Sequence, residues 1–213
     1  MTFIPDAAVM ASYTVAVFIL FATPGPDMSL FLAKTLSGGR AAGIAAMAGA
    51  LTGCLVHTLA AALGLSALIA ASATAFTALK VVGALYLLWM AYDAIRRGSA
   101  LNIGKDGRAP PSLRRVFLQG IGINLTNPKI ILFFITFLPQ FVAVDDPAAR
   151  GKLVFLGVYF VLFSIPLAIL MILTAERLIA TLKARPRIMR AIDYAFAGIF
   201  GVFAAKILAT QGR

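Results

Sequence analysis

The stretch that decides the fold is FATPGPDMSLFLAKT, residues 21–35, which interrupts an apolar run that begins at Ala7. Its four central positions are Pro24, Gly25, Pro26 and Asp27. Proline cannot donate a backbone hydrogen bond, so a helix that reaches this point ends or kinks, and a new helix can begin at Pro26. The first helix is therefore predicted to be broken into two half-helices.

The composition indicates an integral membrane protein. Of the 213 residues, 61% are hydrophobic and 13% are charged, whereas soluble domains are about half apolar and about a quarter charged. Apolar segments of about 20 residues, the length that a bilayer requires, recur along the chain. Helices are expected, because backbone polar groups in hydrocarbon must bond within their own segment. The predicted spans are 7–36, 41–65, 67–94, 116–141, 153–174 and 192–209.

A polar loop at residues 96–115, rich in Gly and Pro, divides this single transmembrane domain (1–213) into halves of about 1–95 and 116–213. Each half has three predicted spans, so the second half enters the membrane from the opposite side, as in many secondary transporters. The predicted fold is an all-α integral membrane bundle of six transmembrane helices. It consists of two inverted three-helix repeats, with broken first and fourth helices.

The fourth span carries its own break, NLTNPK, at residues 124–129. In both breaks a capping residue precedes a proline at the first helical position, and a charged residue follows. The residues in these places are Asn127, Pro128 and Lys129 here, and Gly25, Pro26 and Asp27 in the first break. Each second half-helix then points free N–H groups and its positive dipole end into the bundle, which favours an anion there. Asn124 adds a polar side chain to the second break.

Asp27 and Lys129 are expected at a similar depth in the membrane. Lys129 lies about 20 Å into a span, since roughly 13 residues rise about 1.5 Å each. An ionised side chain in the bilayer costs at least about 2.5 kcal/mol, so it faces a partner or a watery cavity. In one interpretation the two residues form a transport site, and a substrate carboxylate or Asp27 neutralises Lys129. In the other, the prolines are kinks and the two charges are a structural ion pair.

Four further polar residues are candidates for a role. His57 lies in the middle of the second span, where it either relays protons or bonds a hydroxyl or carbonyl of another helix. The single cysteine, Cys54, rules out an internal disulfide and is expected to pack. Lys80 opens the third span and either snorkels to the interface or has a function. Asp193 is expected as a boundary charge on the cytoplasmic side.

The net charge of +11 indicates how the chain is oriented in the membrane and does not indicate nucleic-acid binding. With an external N-terminus, thirteen basic residues fall on the cytoplasmic side and four on the other, with Lys80 and Lys129 in or near spans. The positive-inside rule then places both termini in the periplasm. The cytoplasmic residues are Lys34, Arg40, Arg96, Arg97, Lys105, Arg108, Arg114, Arg115, Arg177, Lys183, Arg185, Arg187 and Arg190.

Four motifs together resemble the LysE/RhtB family of bacterial amino-acid exporters. They are TPGPD (23–27), GALTGCLVH (49–57), LKVVGALYLLWMAYDAIR (79–96) and GIGINLTNPKIILFFITFLPQF (120–141). The resemblance covers essentially the whole chain. It implies a multi-pass protein of the bacterial inner membrane that exports amino acids or close derivatives by proton antiport. Its partners are then a small zwitterionic substrate, the proton and the lipid bilayer.

Other classes of function fit the sequence less well. A membrane-embedded enzyme needs a nucleophile and base or a metal set, and one His, one Cys and few intramembrane carboxylates form none. A carrier of metal or other small inorganic ions is the alternative, because Asp27 and the carbonyls of a broken helix can bind a cation; Lys129 argues against it. The sequence has no nucleotide-binding motif, and no cofactor is expected. Whether the functional unit is a homodimer is left open.

The charge distribution gives a topology prediction. A C-terminal alkaline phosphatase fusion should be active and a C-terminal fluorescent-protein fusion dark, because thirteen basic residues against four favour periplasmic termini. Fusions placed in the loop at residues 96–115 are the control and should behave in the opposite way. A bright C-terminal fluorescent fusion would overturn the orientation.

Overall fold

The computed structural model describes residues 3–97, 112–143 and 146–211, and these residues contain helices and no strand. The all-α prediction is therefore confirmed for this part of the chain. Residues 98–111, most of the predicted polar loop, lie outside it. The helices are α1 (Ala7–Ala22), α2 (Pro26–Ala71), α3 (Ala73–Arg97), α4 (Leu113–Thr126), α5 (Pro128–Leu132), α6 (Ala149–Leu173), α7 (Ala175–Ala184) and α8 (Pro186–Gln211). A π-helical turn (Phe133–Phe137) and a 3-10 turn (Leu138–Phe141) extend α5.

Both predicted helix breaks are present. The first separates α1, which ends at Ala22, from α2, which begins at Pro26. The second separates α4 from α5, and the axes of the segments Leu113–Thr126 and Pro128–Phe141 differ by 54°. In each break a proline occupies the first turn of the new helix. The N–H groups of a first turn form no bond within the helix, so the missing N–H of proline costs no helical hydrogen bond there.

Helix α2 is two helices joined at Gly39. This glycine has φ 75° and ψ −178°, a combination that is essentially restricted to glycine. A Cβ on Gly43 would lie 2.1 Å from Thr35 Oγ1, whereas eight residues of continuous helix span about 12 Å. The chain therefore folds back sharply at Gly39. We call residues 26–38 α2a and residues 40–71 α2b.

Three sequence expectations differ from the structure. The second span was predicted to end at residue 65, but the helix continues to Ala71 and ends at Ser72. The helix α7, with Ile179 and Leu182 buried and Glu176, Arg177 and Thr181 exposed, was not predicted. Asp193 was expected as a boundary charge, yet its exposed fraction is 0%, because this face of α8 packs inward.

The number of membrane spans is supported in part. Among the described residues, three helices are long and apolar enough to cross a membrane, and the bent pair of α4 and α5 gives a fourth. The three are Pro26–Gly64, which includes the turn at Gly39, Ala149–Leu173 and Arg187–Ala205. Helix α1 is apolar but has 16 residues. The prediction of six spans in two inverted repeats stays a prediction.

Glycines allow α2b to approach α4 closely. A Cβ on Gly49 would lie 2.0 Å from the carbonyl oxygen of Phe117, and one on Gly120 would lie 2.4 Å from that of Ala46. A Cβ on Gly53 would meet the side chain of Asn124 at 2.5 Å. Small residues let helices in lipid pack backbone against backbone. This contact holds the second break against the middle of α2b.

Two glycines of α4 provide a matched test of this packing. We expect Gly120→Ala to destabilise the protein by about 1 to 3 kcal/mol, because the backbone of α2b has to move away. Gly122→Ala is the control, since no atom lies within 4 Å of its added Cβ. Thermal unfolding of both variants in one detergent measures the difference. Equal melting temperatures would show that the contact between α2b and α4 is loose.

Candidate functional site

A cavity of about 50 Å³ lies where the two helix breaks meet α2b and α6. Of the nine predicted site residues, Asp27, Asn124 and Lys129 line it. The other six lie in the two breaks or on α2b: Pro24, Gly25, Pro26, Asn127, Pro128 and His57. The remaining polar lining residues are Cys54 and Ser164, and the apolar walls include Met28, Phe31, Phe160, Ala168 and Met171.

The first break leaves a helix start without a side-chain cap. Gly25 is the N-cap of α2a, has no side chain and so offers no acceptor to the first turn. The N–H groups of the first turn of a helix have no partner within the helix. Pro26 removes one of them, and those of Asp27 and Met28 stay without a side-chain acceptor. This positive helix end lies beside the cavity that Asp27 and Met28 line.

The second break is capped by its own side chain. Asn127 is the N-cap of α5, and its Oδ1 accepts a hydrogen bond of 3.1 Å from the backbone N–H of Lys129. The amide nitrogen of Asn127 lies near the Asp27 carboxylate without forming a hydrogen bond of normal geometry. The predicted capping arrangement is present in both breaks, with a side-chain bond only in the second.

Asn124 connects the two breaks. Its Nδ2 donates a hydrogen bond of 2.8 Å to Asp27 Oδ2, and its side chain contacts Cys54 Sγ at about 3.5 Å. Only 1% of Asn124 is exposed. Cys54 is buried as expected, but it also lines the cavity. The amide therefore fixes the Asp27 carboxylate in position and leaves one carboxylate oxygen free.

Lys129 bonds backbone carbonyls and not an anion. Its Nζ donates to the carbonyl oxygens of Leu20 at 3.1 Å and Thr23 at 2.7 Å. The carbonyl of Leu20 would accept from residue 24 in a continuous helix, but Pro24 has no N–H. The ammonium group thus supplies the missing donor at the negative end of α1.

No ion pair joins Asp27 and Lys129, although both line the cavity. The two side chains therefore form no direct ion pair in this structure, and the choice between a transport site and a structural charge pair stays a prediction. The expectation that a substrate carboxylate or Asp27 neutralises Lys129 is incomplete, because the terminal carbonyls of α1 hold the ammonium group in place. Their partial charge stabilises Lys129 without any ligand.

His57 makes the corresponding contact at the second break. Its Nε2 lies 3.4 Å from the carbonyl oxygen of Asn124, and its ring stacks on Phe134 with 5.7 Å between the ring centroids. Pro128 has no N–H for this carbonyl, which accepts from Asn127 instead. The contact is the interhelical bond to a carbonyl that the sequence suggested as one of two roles. The side chain of Lys80 lies outside the described part of the chain.

Three buried side-chain atoms have no hydrogen-bond partner among the described residues: Asp27 Oδ1, Asn127 Nδ2 and Ser164 Oγ. A buried polar group without a partner costs about 1 to 3 kcal/mol, so such atoms mark places where a ligand or water binds. Asp27 and Ser164 line the cavity. Sequence reasoning missed Ser164, whose signal is one serine in the apolar run of α6.

Comparisons with known proteins show the family of the chain. Residues 18–211 match the model of the family described as LysE type translocator. The chain belongs to this family. It is 28% identical over 200 residues to the homoserine/homoserine lactone efflux protein of Salmonella typhimurium, covering 94% of this chain and 96% of the relative.

A second relative bears another substrate name. The leucine efflux protein of an Enterobacter species is 29% identical over 201 residues, covering 92% of this chain and 93% of the relative. No solved structure matches the chain significantly. Family membership makes the chain a membrane transporter, and the relatives support amino-acid efflux in general.

The contact between Gly25 and Lys129 gives a testable prediction. A Cβ on Gly25 would lie 3.0 Å from Lys129 Nζ and 3.2 Å from its Cε. We expect Gly25→Ala to displace the ammonium group from the carbonyls of α1 while the fold is kept, because only the end of a flexible side chain has to move. Bonds to charged groups are worth about 1.5 to 3 kcal/mol, so transport per molecule should fall about tenfold.

Export of a labelled amino acid, normalised to the amount of protein in the membrane, measures this effect. Gly64→Ala is the control, since its added Cβ would meet no atom within 4 Å. Unchanged export by Gly25→Ala would show that the position of the ammonium group is unimportant.

Proposed function

We propose that this protein exports neutral amino acids or close derivatives from the cytoplasm in exchange for protons, by alternating access around the cavity. The observation that carries the proposal is the buried Asp27 carboxylate, which lines the cavity with one oxygen free of any partner among the described residues. The substrate names of the relatives, homoserine and leucine, both denote neutral amino acids.

Asp27 binds either the substrate ammonium group or a proton. Its Oδ2 is held by Asn124 at 2.8 Å, whereas Oδ1 has no hydrogen-bond partner among the described residues. A single carboxylate cannot be protonated and pair with an ammonium group at the same time, so the proton and the substrate exclude each other. Mutual exclusion at one site couples the movement of one to the counter-movement of the other. An intramembrane carboxylate with this role is typical of proton-driven transporters.

The substrate carboxylate binds at the opposite charge. The uncapped start of α2a offers backbone N–H groups and a positive dipole end. Lys129 uses two hydrogen bonds for the carbonyls of α1 and has a third N–H available. A zwitterion thus has a partner for each of its charges in one cavity: Asp27 for the ammonium group, and Lys129 with the start of α2a for the carboxylate.

In the alternating-access motion, the two breaks act as hinges. In this proposal the protein lies in the bacterial inner membrane with both termini in the periplasm, and two inverted three-helix halves rock around the cavity. Such repeats place the substrate near the middle of the membrane, between broken helices. The backbone departs from helical geometry at the two breaks, which lie at the site, and at Gly39, at the other end of α2a.

A carrier of metal ions is the second candidate. The described residues contain no group of three or more His, Cys, Asp and Glu side chains that is able to hold a metal ion. Lys129 lines the cavity together with Asp27, and its charge repels a cation there. The zwitterionic substrate is favoured because it uses both charges.

Asp27→Asn separates coupling from binding. Asparagine keeps the shape of the side chain and still accepts a hydrogen bond from Asn124, but it takes up no proton. We expect proteoliposomes with this variant to lose uphill transport driven by a pH gradient and to retain exchange of labelled for unlabelled amino acid at a reduced rate. Asp6→Asn is the matched control, since Asp6 is an exposed N-cap of α1. Uphill transport at the parental level would exclude Asp27 as the coupling residue.

The double variant Asp27→Asn/Lys129→Met tests the remaining structural explanation. If the two side chains only neutralised each other, the double variant would recover the abundance and transport that each single variant loses. We expect no recovery, because Lys129→Met leaves the carbonyls of Leu20 and Thr23 without their donor whatever residue stands at position 27. Membrane abundance and exchange of the two single variants and the double variant decide the question.

A further inference from the structure

Ser164 differs from most buried or half-buried hydroxyl side chains of the described helices. In a helix a serine or threonine commonly bonds the carbonyl four residues earlier. The hydroxyl groups of Ser12, Ser37, Thr35 and Thr52 do so at 2.7 to 3.0 Å. Ser164 Oγ makes no such bond, although only 2% of the residue is exposed. Its hydroxyl group therefore has no partner among the described residues, and it belongs to a residue that lines the cavity.

The wall that α6 presents to the cavity is apolar except at Ser164. The residues at successive turns are Phe160, Ser164, Ala168 and Met171. The charged and amide side chains of the cavity, Asp27, Asn124 and Lys129, come from the two breaks. The cavity thus has a charged part, at the breaks, and an apolar part that carries one uncharged hydroxyl group.

These two parts suit different ends of an amino acid. The charged part fits the ammonium and carboxylate groups, so the side chain of the substrate lies along α6. An apolar wall with one free hydroxyl does not stabilise a charged side chain. It fits a short side chain that brings its own hydroxyl group, because a hydroxyl both donates and accepts.

We propose that Ser164 is a specificity-determining residue that bonds the side-chain hydroxyl group of the substrate, so that the protein prefers hydroxylated neutral amino acids to aliphatic ones of the same shape. This inference rests on the proposed function. A site that bonds a substrate hydroxyl rejects the analogue that lacks it, since the buried partner is then left unpaired.

Two isosteric pairs of substrates test the inference: threonine with valine, and homoserine with norvaline. In each pair a methyl group replaces the hydroxyl group. Proteoliposomes with the full chain are assayed for exchange of each labelled compound. We expect the parent to prefer the hydroxylated member of at least one pair by tenfold or more. Ser164→Ala should reduce that ratio to about one, mainly through slower transport of the hydroxylated compound.

Two further variants make the result specific. Ser12→Ala is the matched control, because Ser12 bonds its own helix and does not line the cavity, and it should keep the parental ratio. Ser164→Cys keeps the size of the side chain but is a weak donor, so its ratio should also fall. Transport of valine or norvaline by Ser164→Ala shows that the variant is folded. If Ser164→Ala transports neither compound, the inference is tested by the ratio of hydroxylated to aliphatic transport in Ser164→Cys.

The outcomes separate this inference from the proposed function. Parental exchange of amino acids without a preference within either pair, or an unchanged ratio in Ser164→Ala and Ser164→Cys, overturns the role of Ser164 and leaves amino-acid export intact. A parent that exchanges none of the four compounds contradicts the export of neutral amino acids as well, and the inference fails with it.

Discussion

A proline inside a membrane helix leaves one carbonyl without its donor, and hydrocarbon has no water to replace it. This constraint governs the centre of the protein. Pro24 deprives the carbonyl of Leu20 of its donor, and the ammonium group of Lys129 donates to it at 3.1 Å. Pro128 removes the helical donor of the Asn124 carbonyl, which accepts from the N–H of Asn127 at 3.1 Å instead and lies 3.4 Å from His57 Nε2. Each break is thus completed by a basic side chain from another helix.

The same requirement explains where the polar side chains lie. Buried polar groups in lipid have to find partners close by, so the bonds made by Asn124 and Lys129 bring the second break against the first. Glycines at positions 49, 53 and 120 then let α2b approach closely enough to enclose these residues. The cavity is the space that the two interrupted helices cannot fill. Two atoms of residues that line it, Asp27 Oδ1 in the first break and Ser164 Oγ on α6, have no partner among the described residues.

The sequence was sufficient for features that local chemistry determines. A proline after a capping residue predicted both breaks. The predicted spans 7–36 and 41–65 left residues 37–40 between them, and the chain turns there at Gly39. It was insufficient for contacts over long separations. Lys129 bonds carbonyls that are 106 and 109 residues away in the sequence. Every residue has a backbone carbonyl, so no residue type in the sequence identifies which carbonyls Lys129 bonds. Ser164 looked like any hydroxyl in a helix, because only the packed structure shows that its usual partner is not used.

Under the proposed function, the bond between Lys129 and α1 also explains how binding leads to motion. The ammonium group joins the first and fourth helices through the carbonyls of Leu20 and Thr23. A substrate carboxylate attracts the same ammonium group, so it weakens this connection while the substrate ammonium group displaces the proton from Asp27. The bound substrate therefore shifts the equilibrium between two packings of the broken helices. It does so because it makes different contacts in the two packings, and a ligand shifts an equilibrium only through such a difference. Protonation of Asp27 on the periplasmic side releases the ammonium group and allows Lys129 to return to the carbonyls.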